Sequence, residues 1–132
     1  MPEHETVYLI ARILTSAVWI GVGLFVLLHF GGFAEKLAGH GFPFPALVAS
    51  GVLAIELVGG VLMVADFWAW AVALVWIGFI LWATWLDHRH VIGKDGGLVF
   101  QEYGQVLKNL SIIGGLVCII LLDDTTPGWL LP

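Results

Sequence analysis

Charge is scarce in this sequence. Asp, Glu, Lys and Arg make up 11% of its 132 residues, against roughly a quarter in soluble domains, which excludes a water-facing surface of ordinary composition. Basic residues are the scarcer sign: five Lys and Arg stand against ten Asp and Glu, for a net charge of −5. That excludes the basic stripe on which nucleic-acid binding depends. Cysteine occurs once, at Cys118, so no disulfide can form within the chain, and its apolar surroundings mark it as a packing residue rather than a nucleophile. No helical His-x-x-x-His pair or Cys–His set occurs, so no metal site is read. No flavin, haem or iron–sulfur motif occurs either, so no cofactor is assigned to the chain by motif.

What the sequence has instead is apolar length. Hydrophobic residues make up 60% of it, gathered into runs that approach the ~20 residues a helix needs to cross a bilayer. The first runs from Val7 to Phe30 and ends at Gly31 and Gly32. It carries Arg12 and is too long for a signal-peptide core, so it is read as a retained helix. Gly41-Phe42-Pro43-Phe44-Pro45 then breaks the chain, with Pro45 suited to a first helical turn, where its missing N–H leaves nothing unpaired. The spans that follow are 45–65, 67–86 and 106–122, and the lone charged residue between the middle two, Asp66, is read as the N-cap of the third. The fold class is therefore all-α: one domain, residues 1–132, an integral membrane bundle of four transmembrane helices whose direct partner is the lipid bilayer.

Four crossings bring both termini to one side. Lys36, Arg89, Lys94 and Lys108 fall on the side of the two longer connections and Arg12 alone on the terminal side, so the positive-inside rule predicts a multi-pass inner (plasma) membrane protein with both termini non-cytoplasmic. Trp68 and Trp70 at one end, with Trp82 and Trp85 at the other, are read as interfacial belts. The pairs Gly59-Gly60 and Gly114-Gly115 are read as surfaces where helices pack closely in lipid.

Chemistry concentrates in few residues. Glu56 lies near the middle of the second span, where an ionised carboxylate costs at least ~2.5–3.5 kcal/mol. It must be neutral, paired or in a wet pocket, and Arg12 in the first span is its candidate partner; alternatively Arg12 snorkels to the interface and Glu56 stays neutral and hydrogen-bonded. Glu56 and Arg12 are the candidate catalytic pair. On the connection side, four of the five histidines gather, at His29, His40, His88 and His90, with Asp87 and Glu102. Such a face can relay protons, bind a metal or meet a quinone head, or it can be a solvated loop. Thr84, one turn before His88, together with Lys108 and Asn109 at the start of the last span, completes the candidate quinone- or substrate-binding set. Arg12, Glu56 and Asn109 are expected to face the bundle interior.

Gly41-Phe42-Pro43-Phe44-Pro45, then Glu56-Leu57-Val58-Gly59-Gly60, Ala83-Thr84 and Lys108-Asn109-Leu110 with Gly114-Gly115 are, in this order and spacing, similar to the DoxX family of small bacterial and archaeal membrane proteins. Arg12 at the head of the first span and Gly32-Phe33 also fit its pattern. The resemblance implies a four-helix membrane bundle and points to membrane redox chemistry, since relatives include the membrane part of a thiosulfate:quinone oxidoreductase and others linked to thiol or oxidative-stress systems. It implies that Arg12, Glu56, Thr84, Lys108 and Asn109 occupy the family's recurring polar positions. The sequence departs from the family at Val26 and His29, where Lys and Asp are common, and at Asp87-His88-Arg89-His90. The reading that follows is a membrane subunit of a quinone- or thiol-linked oxidoreductase system, with quinone as the candidate ligand and a redox protein or other membrane subunits as partners. Two alternatives stand beside it: a non-catalytic subunit packing into a larger membrane complex, and a small-solute or proton transporter.

Overall fold

The computed structural model describes residues 2–132. It contains five α-helices, α1 (Pro2–Leu28), α2 (Phe30–Gly39), α3 (Pro45–Val64), α4 (Ala69–His88) and α5 (Phe100–Leu122), and a terminal 3-10 turn, Gly128–Leu130. Four of them, α1, α3, α4 and α5, are long and apolar enough to cross a membrane. Large apolar side chains such as Leu14, Phe25, Leu47 and Val61 stand more than 45% exposed on the outer surface, as lipid-facing residues must. The chain is an all-α membrane bundle.

The helix α2 replaces the stop expected at Gly31 and Gly32. The chain bends at His29, whose Nδ1 lies 3.0 Å from the Phe25 carbonyl, and resumes as helix because Phe33, Ala34 and Leu37 give it an apolar face that packs on α3. Leu37 is buried. The helix ends at Gly41 (φ +89°), where Phe42 N–H donates to Leu37 O and Gly41 N–H to Ala38 O, the paired bonds of a Schellman turn that needs a left-handed residue.

Asp66 does the same for α3, and this corrects its expected role. It sits at φ +57°, with Phe67 N–H donating to Leu62 O and its own N–H to Met63 O, so it closes α3 rather than opening α4. The cap of α4 comes instead from Asp123 at the far end of the chain, whose Oδ2 accepts from Trp70 N–H at 2.9 Å. The α5 helix begins six residues before the expected 106, taking in Glu102 and Gln105. The glycines Gly93, Gly96 and Gly97 lie in a tight loop closed by the Ile92–Leu98 bridge.

The core gathers Trp19, Met63, Val72, Trp76, Leu116 and Ile119 from all four long helices. The Trp19 and Trp76 rings stack at 4.4 Å and 6°. Gly59 has no side chain to hold Trp76 off the α3 backbone, so the indole Nε1 reaches the Ile55 carbonyl at 3.0 Å; a Cβ there would meet Nε1 at 2.8 Å. Gly60 admits Ile20 in the same way. The other pair behaves differently, because a Cβ at Gly114 or Gly115 meets nothing within 4 Å. These two glycines leave α5 bare, Gly115 beside a hollow it shares with Leu14, Thr15 and Val18 of α1, and Cys118 on the same helix is exposed rather than packed in the core. The belts are likewise partial: Trp68 and Trp85 project outward, whereas Trp82 packs against Phe42 and Phe79 and Trp70 against the core.

Gly59→Leu forces the Trp76 indole from its place and is expected to destabilise the bundle by about 1–3 kcal/mol, read as a lower Tm in detergent. Gly114→Ala is expected to leave Tm unchanged, and equal effects at the two sites would contradict this division of roles.

Candidate functional site

The polar residues separate into two ends and one interior group. At the terminal end, Arg12 is 7% exposed and its Nη1 donates to the carbonyls of Met63 (3.1 Å) and Val64 (3.0 Å). These belong to the last turn of α3, where the dipole favours a cation; Met63 O also accepts from Asp66 N–H. The same nitrogen lies 3.4 Å from Asp66 Oδ1, which accepts a hydrogen bond from Tyr8 OH at 3.0 Å, and the guanidinium stacks 4.7 Å over the Tyr8 ring. Arg12 is thereby committed to the end of α3, and the expected Arg12–Glu56 pair does not form. Glu56 lies eight residues before Val64, ~12 Å along the helix axis. A polar cleft of about 580 Å³ opens here, lined by Glu5, Tyr8, Arg12, Asp66, Asp123 and Asp124 among others.

At the opposite end, the expected binding residues form a seam between α4 and α5. Asn109 Nδ2 donates to Thr84 Oγ1 at 2.7 Å, and His88 Nδ1 lies 2.7 Å from Glu102 Oε2. The spacings of four on α4 and seven on α5 put each pair on facing sides. Lys108 bonds Gln105, one turn back on its own helix. His90 lies outside the seam, 3.3 Å from Arg89 Nε, while Arg89 sits over the Trp85 ring. Asp87 holds Lys36 at 2.8 Å and faces His40 at 3.4 Å, joining the end of α4 to α2. No group of three or more His, Cys, Asp or Glu is arranged to hold a metal among the described residues.

Glu56 stands apart from both ends. It is 3% exposed, and its Oε2 has no hydrogen-bond partner among the described residues. It lines a pocket of about 210 Å³ with Val26, Phe33, Val52 and Trp82, and with Lys36 and Asp87, so α2 closes this pocket on the connection side. The walls at Val52, Phe79 and Trp82 are shared with an apolar groove of about 380 Å³ between α3 and α4. That groove shares Ile55 and Val75 with a further one of about 390 Å³ along the same pair of helices. Val58 and Val75 are more than half exposed, so the groove opens to the hydrocarbon of the bilayer. The pocket and groove residues Phe33, Lys36, Val52, Phe79 and Trp82 were not among the expected site residues. They come from three helices, and apolar positions on uniformly apolar helices carry no signal of which face turns inward.

The sequence matches the DoxX family over residues 7–89. It is 30% identical to the inner membrane protein YphA of Escherichia coli (strain K12) over 120 residues, 91% of this chain and 83% of that one. No solved structure matches it significantly.

Arg12→Lys keeps the charge but has no planar fork to serve two carbonyls and Asp66 together. It is expected to cost about 1–3 kcal/mol in detergent unfolding, and wild-type stability would contradict the role given to Arg12 in holding α1 against the end of α3.

Proposed function

The chain belongs to the DoxX family of membrane proteins, and on that premise we propose that it is a small multi-pass subunit of an oxidoreductase system that takes an isoprenoid quinone from the bilayer. The observation that carries this reading is the adjacency of an apolar, bilayer-facing groove along α3 and α4 to a small pocket holding the buried carboxyl of Glu56, the two sharing Val52, Phe79 and Trp82 as walls. An amphipathic ligand with a ring at one end and a long apolar tail matches that shape. The head enters beside Glu56, between Trp82 and Phe33, with the Lys36–Asp87 pair nearby, and the tail follows the groove.

Reduction of a quinone to a quinol takes two electrons and two protons. A partner oxidoreductase supplies the two electrons, and in this reading Glu56, reprotonated from water after each transfer, passes the two protons to the quinone oxygens. In this reading Thr84, Asn109, His88 and Glu102 hold α4 against α5 at the connection side, beside the surface a partner meets. Support for the inner membrane comes from YphA, the inner membrane protein of Escherichia coli to which the chain is similar. Support for a cytoplasmic connection side comes from Lys36, Arg89, Lys94 and Lys108, while Arg12 is taken up by its protein contacts.

A second reading, an accessory subunit that packs in a larger membrane complex, draws on the exposed Gly114 of α5 and the hollow between α1 and α5 beside Gly115, which leave room for close approach of another helix. The two readings separate on bound quinone. Protein purified gently from native membranes is expected to carry quinone, extracted and quantified by mass spectrometry. Glu56→Leu, which removes the polar partner of the head, and Val75→Trp, which fills the groove, are each expected to lower occupancy about tenfold, or ~1.4 kcal/mol. Equal quinone in the wild type and both variants, or none in any, would favour the packing subunit.

A further inference from the structure

Four buried side-chain atoms have no hydrogen-bond partner among the described residues: Arg12 Nε, Ser16 Oγ, Trp19 Nε1 and Glu56 Oε2. Their residues are 7%, 1%, 6% and 3% exposed. An unmet buried polar group is costly, and four together weigh heavily against the small net stability of a protein of this size. Buried groups of this kind are ordinarily satisfied by internal water.

The four follow one seam. Arg12, Ser16 and Trp19 are spaced i, i+4, i+7 and lie on one face of α1. The next position on that face is Gly23, where a Cβ would meet Leu57 Cδ2 at 2.7 Å and the Glu56 Cβ at 3.1 Å, so the file passes beside Leu57 to reach Glu56. The face therefore leads along α1 from Arg12 to Glu56. At ~1.5 Å of rise per residue the steps are ~6 Å to Ser16, ~4.5 Å to Trp19 and ~6 Å to the level of Glu56, gaps that one or two hydrogen-bonded waters span. The chemistry of the atoms suits such a file. Arg12 Nε and Trp19 Nε1 only donate, so each can hold a water by its oxygen, while Ser16 Oγ and the Glu56 carboxyl can accept.

Each end of the seam meets a cavity. Arg12 lines the 580 Å³ terminal cleft, with His4, Glu5, Tyr8, Asp66, Asp123 and Asp124, and Glu56 lines the 210 Å³ pocket, with Lys36 and Asp87. A fixed arginine opposes protons in a pore, but here Asp66 lies against Arg12 and the other carboxylates of the cleft outnumber it.

We propose that Arg12, Ser16, Trp19 and Glu56 hold a file of buried water that carries protons between the terminal-side cleft and the Glu56 carboxyl. The transfer moves a proton from carboxyl to water and returns another from the cleft, with no change in electrons. It stands whether or not a quinone occupies the pocket, and it would give Glu56 access to one face of the membrane.

The test is deuterium exchange of the Glu56 carboxyl, followed by infrared spectroscopy on the reconstituted full chain without added quinone. The chain is acidified until the carboxyl band, assigned by its loss in Glu56→Gln, is present. Ser16→Ala with Trp19→Phe is expected to slow exchange about tenfold or more. Ala83→Leu, which fills the pocket side, is expected to leave it unchanged. Exchange at the wild-type rate in the double variant overturns the proposal, as does equal slowing by Ala83→Leu. Should the double variant fail to fold, Ser16→Ala alone carries the test: several-fold slowing supports the file and an unchanged rate overturns it.

Discussion

Hydrocarbon offers a polar group no water to bond, and an unmet one costs several kcal/mol there. The arrangement of this bundle follows from that constraint. Arg12 spends its Nη1 on the last-turn carbonyls of α3 and on Asp66, which fixes the head of α1 on the end of α3. Asp123 accepts from the first turn of α4 and from Thr125, tying the end of α5 to the start of α4. Thr84 with Asn109, and His88 with Glu102, close the other end of the same two helices. Against that background Glu56, buried with Oε2 unpartnered, is the one carboxyl among the described residues kept in the interior at a cost without an evident structural return.

Small residues decide where the cavities lie. Gly23 and Gly60 bring α1 close against α3, the first admitting Leu57 and the second Ile20. Gly59 lets the edge of the Trp76 indole approach α3 and bond its backbone, and the stacked Trp19 and Trp76 rings then stand between the helices as a spacer. Between α3 and α4 the outcome is a groove rather than a tight contact, although the two are joined by only the few residues around Asp66. The α2 helix seats Leu37 against α3 and brings Phe33 and Lys36 over the Glu56 pocket. Close packing on one side of α3 and open space on the other are thus two results of one set of glycines and tryptophans.

Much of this was legible in the residues. Four apolar runs of membrane length were enough to read a helical bundle, and Pro45 begins α3. The inward placement of Arg12 and Glu56 follows from the cost of charge in lipid. What could not be read were matters of partner and direction. Asp66 looked like a cap for the helix after it because Asp favours N-caps, yet it takes a left-handed conformation that glycine usually supplies. The true cap, Asp123, lies 53 residues from its partner Trp70, beyond any local signal. Phe30-Gly31-Gly32-Phe33 looked like a stop because glycine weakens helix, but burial of Leu37 outweighs that weakness. Gly59-Gly60 and Gly114-Gly115 are alike in sequence and differ only in whether Trp76 and Ile20 stand opposite, which tertiary structure alone decides.

The central claim is that the pocket at Glu56 and the groove along α3 and α4 form one site for a membrane quinone. The most direct measurement is photolabelling of the reconstituted chain with a photoreactive isoprenoid quinone analogue, the adducts mapped by mass spectrometry of peptides. The account predicts head adducts near Phe33, Val52 and Trp82 and tail adducts near Ile55 and Val75, all suppressed by unlabelled quinone. Adducts spread over the outer faces of α1 and α5, with no suppression by competitor, would contradict it.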